Sequence, residues 1–140
     1  MLRYSRVRFF VFGVMPMLNA IGLLLFGLGL ATNGSSGTER AVPFLLVLAG
    51  GLLLATCVAA VRRGRDLGWK AAASLAGLAI SMCLGPMFFL FVGYLALAPG
   101  NAGENRFGSV SPPISATAWV WSVVASVVPW FAAVTAARVM

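Results

Sequence analysis

Residues that could do chemistry are scarce in this sequence, and their types exclude the commonest catalytic and metal sites. The chain has no histidine, three acidic residues and two cysteines among its 140 residues. A zinc cluster, a Ser/His/Asp set or a Cys/His set needs side chains that are missing here. We therefore expect no cofactor and no metal, and predict that the protein is not an enzyme. An enzyme built on Asp66 or on the Asn105-Arg106 segment stays open as a third class of function.

The densest group of charges is the segment Arg62-Arg63-Gly64-Arg65-Asp66-Leu67-Gly68-Trp69-Lys70. If a helix extends into it, Arg62 and Asp66 lie one turn apart and can form an ion pair. The remaining cations then point toward lipid phosphates. The segment predicts a contact surface for anionic lipid headgroups or an acidic partner, formed by Arg62, Arg63, Arg65, Asp66 and Lys70. A plain interfacial role without a specific ligand is the alternative.

A second polar segment follows Pro99 and is rich in glycine, which favours turns. It places an acid, an amide and a cation in a row. We expect a structured loop held by its own polar contacts, formed by Gly103, Glu104, Asn105, Arg106, Phe107 and Gly108.

The elements that must position these residues are apolar. The chain is 61% hydrophobic and 9% charged, whereas soluble domains are about half apolar and a quarter charged. Four segments, about 9–31, 42–61, 71–98 and 116–137, reach the roughly 20 residues that a helix needs to cross a bilayer. Lipid leaves backbone polar groups without partners, so each segment must be helical. The predicted fold class is an all-α integral membrane protein, a single four-helix transmembrane bundle.

The first segment follows Arg3, Arg6 and Arg8, and therefore also resembles a secretory signal sequence. Its apolar run exceeds the 7 to 15 residues of such a signal. We expect an anchor that is not cleaved.

Orientation follows from the basic residues in the short flanks. One predicted face carries eight, Arg3, Arg6, Arg8, Arg62, Arg63, Arg65, Lys70 and Arg138, and the other carries Arg40 and Arg106. Because Lys and Arg concentrate on the cytoplasmic side, both termini are predicted to be cytoplasmic. Trp69 is then expected at the inner boundary, with Tyr94, Trp119 and Trp121 near the outer one.

The segment 71–98 contains Gly85-Pro86 near its centre. Proline kinks a helix, and we predict one long, bent span. The alternative is a re-entrant pair of half-helices, which returns residues 99–115 to the cytoplasm and reverses the fourth helix.

Three motifs carry a family resemblance: Arg3-x-Ser5-Arg6-x-x-Phe9-Phe10, Arg62-Arg63-x-x-Asp66-x-Gly68 and Pro99-Gly100-x-x-Gly103-x-Asn105-Arg106-Phe107-Gly108. In this order, from Arg3 to about Pro112, the chain resembles the small bacterial inner-membrane proteins grouped as domain of unknown function 805. Gly64 and Arg65 replace the family's Leu-His, and a fourth helix is added. The resemblance implies a bacterial cytoplasmic membrane and supplies no activity. If Asp66 and Arg106 act together, their loops must share a face, which the preferred topology forbids.

The function we expect is a non-catalytic multi-pass membrane component that contacts anionic lipid and associates with itself or with other membrane proteins. An oligomeric pore or carrier for a small solute is the alternative. Despite a net charge of +7, we expect no nucleic-acid binding, because no basic amphipathic helix or aromatic platform is present.

Overall fold

The computed structural model describes residues 5–33, 38–100, 107 and 114–139, and every regular element within this part of the chain is helical. The elements are α1 (Arg6–Phe9), a π-helical turn (Phe10–Val14), α2 (Met15–Asn33), α3 (Thr38–Asp66), α4 (Ala71–Cys83), α5 (Met87–Leu97) and α6 (Ala116–Val139). The first three run into one another without a break and are called the N-terminal helix. The all-α prediction is confirmed for the described residues.

Three of these helices are long and apolar enough to cross a membrane: Arg6–Thr32, Ala41–Asp66 and Ala116–Thr135. The other two are also apolar, but α4 has 13 residues and α5 has 11. At about 1.5 Å of rise per residue they reach roughly 20 and 16 Å, short of the roughly 30 Å of hydrocarbon. The apolar helices indicate a membrane protein. In the part of the chain that the structure describes, three helices reach spanning length and two do not.

The N-terminal helix and α3 pack antiparallel, and the π turn lies in the interface between them. The Thr56 hydroxyl donates across the interface to the Gly13 carbonyl at 3.1 Å and within its own helix to Leu52 at 3.0 Å. A Cβ on Gly13 would lie 3.1 Å from the Ala59 Cβ. The missing side chain therefore allows the two backbones to approach closely, and the wider π turn presents a carbonyl to a neighbouring helix.

Helix α6 runs parallel to the N-terminal helix. Early in α6, Ser122 lines a groove together with Val11 and Phe12, and further along the Trp130 indole donates to the Asn19 amide oxygen at 2.7 Å. The residue numbers of the contacting pairs thus increase in the same direction along both helices. The N-terminal helix therefore begins at one end of the bundle, and α6 ends at the other.

This arrangement corrects the prediction that both termini share a face. The prediction assumed that segment 71–98 crosses the bilayer, which would make α6 antiparallel to the N-terminal helix. The segment forms a hairpin instead, so α6 starts from the end of the bundle at which α3 ended.

Helices α4 and α5 fold back on each other as a hairpin, so the predicted single bent helix over 71–98 is not formed. Gly85 has a φ of +61°, and its N–H donates to the Met82 carbonyl at 3.4 Å. A glycine in the left-handed region ends a helix, and the φ of −58° at Pro86 suits the start of the next one. Along the returning arm, the Phe91 ring covers Gly77, whose Cβ would lie 2.6 Å from the ring. Gly-Pro here reverses the chain direction instead of bending one helix.

The interior consists of two apolar clusters. One joins the N-terminal helix, α3 and the hairpin, and contains Phe9, Met17, Ala59, Ala60, Leu78, Phe88, Val92 and Leu95. The other joins α2, α3 and α6, and contains Ala20, Leu23, Leu45, Ala49 and Ala133. Large apolar side chains elsewhere, such as Val47, Leu90 and Phe131, point outward, as expected where the solvent is lipid.

Candidate functional site

The site begins with the way α3 ends. The Gly68 N–H donates to the Arg65 carbonyl at 3.1 Å, and the Trp69 N–H donates to the Gly64 carbonyl at 2.8 Å. Gly68 has a φ of +83°, a conformation that costs glycine little. This pair of bonds is the Schellman pattern, which satisfies the last carbonyls of a helix and turns the chain sharply. It carries the chain directly into the hairpin and leaves the last turn of α3 facing α5.

Arg63 is the largest fully buried side chain among the described residues, with 0% of its surface exposed. Its Nε donates to the Leu95 carbonyl at 2.8 Å, and one terminal nitrogen donates to the Ala98 carbonyl. The other terminal nitrogen forms an ion pair with the Asp66 carboxylate, one turn further along α3. The guanidinium therefore binds the C-terminal end of α5, where the helix dipole is negative and backbone carbonyls lack helical partners.

Two further segments reach the same place. The Arg6 Nε donates to the Ala98 carbonyl at 3.2 Å, so the N-terminal helix is joined to the end of α5. Gly100 lies against Asp66, because a Cβ there would be 2.0 Å from a carboxylate oxygen. The start of the chain, the end of α3 and the end of α5 thus meet around one carboxylate and two guanidinium groups, here called the arginine centre: Arg6, Arg63, Asp66, Ala98 and Gly100.

Aromatic rings cover the hairpin side of the arginine centre. The Trp69 ring stacks on the Tyr94 ring, with centroids 5.8 Å apart, and on the Phe91 ring at 6.2 Å. Trp69 directly precedes α4, whereas the other two lie on α5. The sequence prediction that placed Trp69 and Tyr94 at opposite membrane boundaries is therefore wrong, since the hairpin brings them into contact.

The structure divides the predicted lipid contacts into two groups. Arg63 and Asp66 are buried and form the arginine centre, so they are removed from any headgroup surface. Arg62 and Arg65 are half-buried and Lys70 is exposed. The sequence paired Asp66 with Arg62, whereas in the structure Arg63 forms an ion pair with Asp66.

The predicted structured loop falls mostly outside the described residues, which is the case for Gly103, Glu104, Asn105, Arg106 and Gly108. Phe107 is described and is half-buried. Gly100, three residues before this predicted loop, belongs to the arginine centre.

Sequence reasoning missed Arg6, Ala98 and Gly100 as members of the centre. Leu95 and Ala98 contribute backbone carbonyls, which any residue carries, so their side-chain types give no signal. The Pro99-Gly100 motif was the available signal, because a glycine beside a charged group allows close approach of the backbone.

The chemistry open to the arginine centre is that of a structural anchor. The Arg63 guanidinium donates to two carbonyls and pairs with a carboxylate, and arginine does not lose its proton in proteins. Within the described residues no three His, Cys, Asp or Glu side chains gather to hold a metal ion. The centre holds the hairpin against α3 and leaves the more exposed cations at its edge.

A family model described as Protein of unknown function (DUF805) matches residues 2–109. The chain belongs to this family. The match begins before Arg6, includes the last turn of α3 and ends after Gly100, so the DUF805 region contains every member of the arginine centre. The resemblance inferred from the three motifs is confirmed, and the structure brings residues of all three motifs together. No curated protein and no solved structure matches the chain.

Proposed function

We propose that this protein is a non-catalytic, multi-pass component of the bacterial cytoplasmic membrane whose basic face contacts anionic lipid. The observation that carries the proposal is the arginine centre, which anchors the hairpin so that basic residues gather at one end of the molecule. Arg6, Arg62, Arg65 and Lys70 all lie at this end. Anionic headgroups on the cytoplasmic leaflet attract such clusters.

The fold supports a topology of three crossings and one hairpin that enters from the cytoplasmic face. The amino terminus and residues 99–115 are then cytoplasmic, and the carboxyl terminus is outside. In the basic-residue count, Arg138 leaves the cytoplasmic set and Arg106 joins it. The count stays at eight against two, so the positive-inside rule supports this topology as well as the one first predicted.

The packing of the N-terminal helix supports its retention as an anchor. Phe9, Met17 and Leu23 lie in the two apolar clusters with at most 3% of their surface exposed. Removal of this helix would expose both clusters and delete the Arg6 contact.

The lipid proposal is tested by native mass spectrometry of the full chain in non-ionic detergent, titrated with phosphatidylglycerol or phosphatidylcholine. We expect tighter binding of phosphatidylglycerol, and a loss of that preference in a variant carrying Arg62→Gln, Arg65→Gln and Lys70→Gln. Arg40→Gln is the matched control, since Arg40 lies at the opposite end of α3. Equal binding of the two lipids by the unmodified protein would refute the proposal.

A second candidate, an oligomeric pore or carrier, is favoured by one observation. The hairpin turn, Leu84 to Met87, is exposed and lies roughly 20 Å along α4 from the face where the hairpin begins. Non-helical backbone at such depth is tolerated where protein covers it or where it lines a water-filled cavity. Solute flux in liposomes tests transport, and a monomeric mass in lipid nanodiscs, without flux, would eliminate this candidate.

A further inference from the structure

We propose that the groove between α3 and α4 is a binding site for one anionic phospholipid, with the headgroup phosphate at Arg62 and Arg65 and an acyl chain along the apolar part. This inference rests on the proposed function, which it narrows from a basic face to a single site. The groove has a volume of about 360 Å³. Its lining is Cys57, Val58, Val61, Arg62, Arg65 and Leu75.

The lining changes character along α3 in the order that a phospholipid requires. Cys57, Val61 and Arg65 are spaced four residues apart, as are Val58 and Arg62, so they form adjacent rows on one face of the helix. The apolar members come first, and the arginines lie in the last turns before α3 ends at Asp66. Over the roughly 10 Å from Val58 to Arg65, the groove passes from hydrocarbon-like to basic. A lipid at the cytoplasmic leaflet has the same order from tail to headgroup.

Arginine suits the phosphate end for a chemical reason. The planar guanidinium can donate two parallel hydrogen bonds to phosphate oxygens, and such charge-assisted bonds are stronger than neutral ones. Arg62 and Arg65 are both half-buried, so their guanidinium groups lie at the edge of the apolar groove. The two positions are close enough along the helix to contact one phosphate together.

A second groove in the same protein provides an internal comparison. It lies between α2 and α3, has a volume of about 320 Å³, and is lined by Leu23, Leu24, Gly27, Leu28, Ala31, Val42, Leu45 and Leu46. No charged residue is part of that lining. The groove between α2 and α3 can accept an acyl chain but cannot select a headgroup. Of these two grooves, the one between α3 and α4 has the charged lining that can bind a phosphate.

The experiment fills each groove with a tryptophan on α3. Val58 and Leu46 are matched, with 52% and 54% of their surface exposed. Native mass spectrometry of the full chain with phosphatidylglycerol should show about tenfold weaker binding for Val58→Trp, a factor that corresponds to roughly 1.4 kcal/mol. Leu46→Trp should bind phosphatidylglycerol as the unmodified protein does.

The headgroup end is tested separately. Arg62→Gln and Arg65→Gln should each weaken phosphatidylglycerol binding about fivefold, which corresponds to roughly 1 kcal/mol per basic residue at an anionic surface. Phosphatidylcholine binding should not change. Arg62→Lys and Arg65→Lys keep the charge but lose the two parallel hydrogen bonds, so they should bind phosphatidylglycerol more tightly than the Gln variants and less tightly than the unmodified protein. This intermediate affinity separates loss of charge from disruption of the fold.

The outcomes distinguish the site from the general proposal. If Val58→Trp binds phosphatidylglycerol like the unmodified protein, or if Leu46→Trp loses it equally, the α3–α4 groove is not the site. In that case the proposed function is still supported if the unmodified protein binds phosphatidylglycerol more tightly than phosphatidylcholine, and the other basic residues would then contact the lipid. If the unmodified protein binds both lipids equally, the inference and the proposed function fail together.

Discussion

At the scale of single residues, Arg63 has the most demanding environment. A buried charge costs several kcal/mol in lost hydration unless its partners compensate. Arg63 is compensated by the Asp66 carboxylate and by the carbonyls of Leu95 and Ala98. Loss of the guanidinium leaves these three acceptors buried together, so the stability of the hairpin should depend strongly on this one side chain.

We expect Arg63→Gln to lower the free energy of unfolding by about 3 kcal/mol or more, because it leaves the Asp66 charge buried without its cation. Unfolding by sodium dodecyl sulfate, followed by tryptophan fluorescence, measures the change. Arg62→Gln is the matched control and should cost much less, since Arg62 is half-buried outside the centre. Equal losses for the two variants would contradict the assignment of the buried cation to Arg63.

A pair of glycines in α2 provides a second test. A Cβ on Gly22 would lie 2.4 Å from the Trp130 ring, whereas nothing lies within 4 Å of one on Gly29. Gly→Ala in a helix interior is favourable by roughly 0.5–1 kcal/mol when space allows, so Gly29→Ala should be neutral or stabilising.

Gly22→Ala should instead destabilise the protein by about 1 kcal/mol, because the indole must move away from Asn19, and such interhelical bonds in membranes average about 0.6 kcal/mol. The same detergent unfolding assay measures both variants. A stabilising Gly22→Ala would show that α6 is not packed on α2 through Trp130.

At the scale of elements, the α4–α5 hairpin separates this fold from a plain four-helix bundle. The three-residue connection Leu84-Gly85-Pro86 ends one helix and starts the next. The return arm is then fixed by the arginine centre at its far end and by the Trp69 stack beside it. Two short helices held at both ends can fold back without crossing the bilayer.

Spin labels measure this geometry directly. We expect labels at Lys70→Cys and Leu97→Cys, in a background carrying Cys57→Ala and Cys83→Ala, to lie within about 20–25 Å, whereas one continuous helix would place them about 40 Å apart. Both positions are exposed. Val7→Cys and Leu28→Cys on the N-terminal helix are the control and should give about 32 Å. A 40 Å distance for the first pair would overturn the hairpin.

The sequence predicted the long helices well. Segments 9–31, 42–61 and 116–137 correspond to the N-terminal helix, α3 and α6, because apolar length alone determines what can cross a bilayer. The sequence could not show in the same way that residues 71–98 form a hairpin and not one bent helix. Gly-Pro suits a kink and a reversal equally, and the deciding bonds go to backbone carbonyls 32 and 35 residues away from Arg63.

The identity of the buried cation was also beyond the sequence. Arg62 and Arg63 differ by 100° around a helix, so the choice between them depends on how α3 is rotated against α5. That rotation is set by contacts with the hairpin, such as the close approach of Gly64 to Ser74, where a Cβ would lie 1.8 Å from the hydroxyl oxygen. Tertiary packing therefore determines that Arg63, one of the predicted lipid contacts, is buried.

At the scale of the whole molecule, the parallel arrangement of α6 and the N-terminal helix determines where the chain ends. The basic-residue count is the same for both topologies, so charge cannot distinguish them. The Asn19–Trp130 bond and the Ser122 groove order the two helices in the same direction, which favours the proposed topology of three crossings.

Reporter fusions test this arrangement in cells. We expect alkaline phosphatase to be active when fused at the carboxyl terminus and inactive when inserted at Gly103, with the opposite result for green fluorescent protein. A phosphatase insertion in 34–37, between α2 and α3, is the control and should be active. A fluorescent carboxyl-terminal fusion would restore the even number of crossings first predicted.

The arginine centre also imposes an order on biosynthesis. Arg63 is translated 32 residues before the Leu95 carbonyl that it binds, and an uncompensated cation is excluded from hydrocarbon. While α5 is being synthesised, Arg63 has Asp66 as its partner and lacks the two carbonyls. The arginine centre can therefore close only after Ala98 has been synthesised, and α6 follows it in the chain.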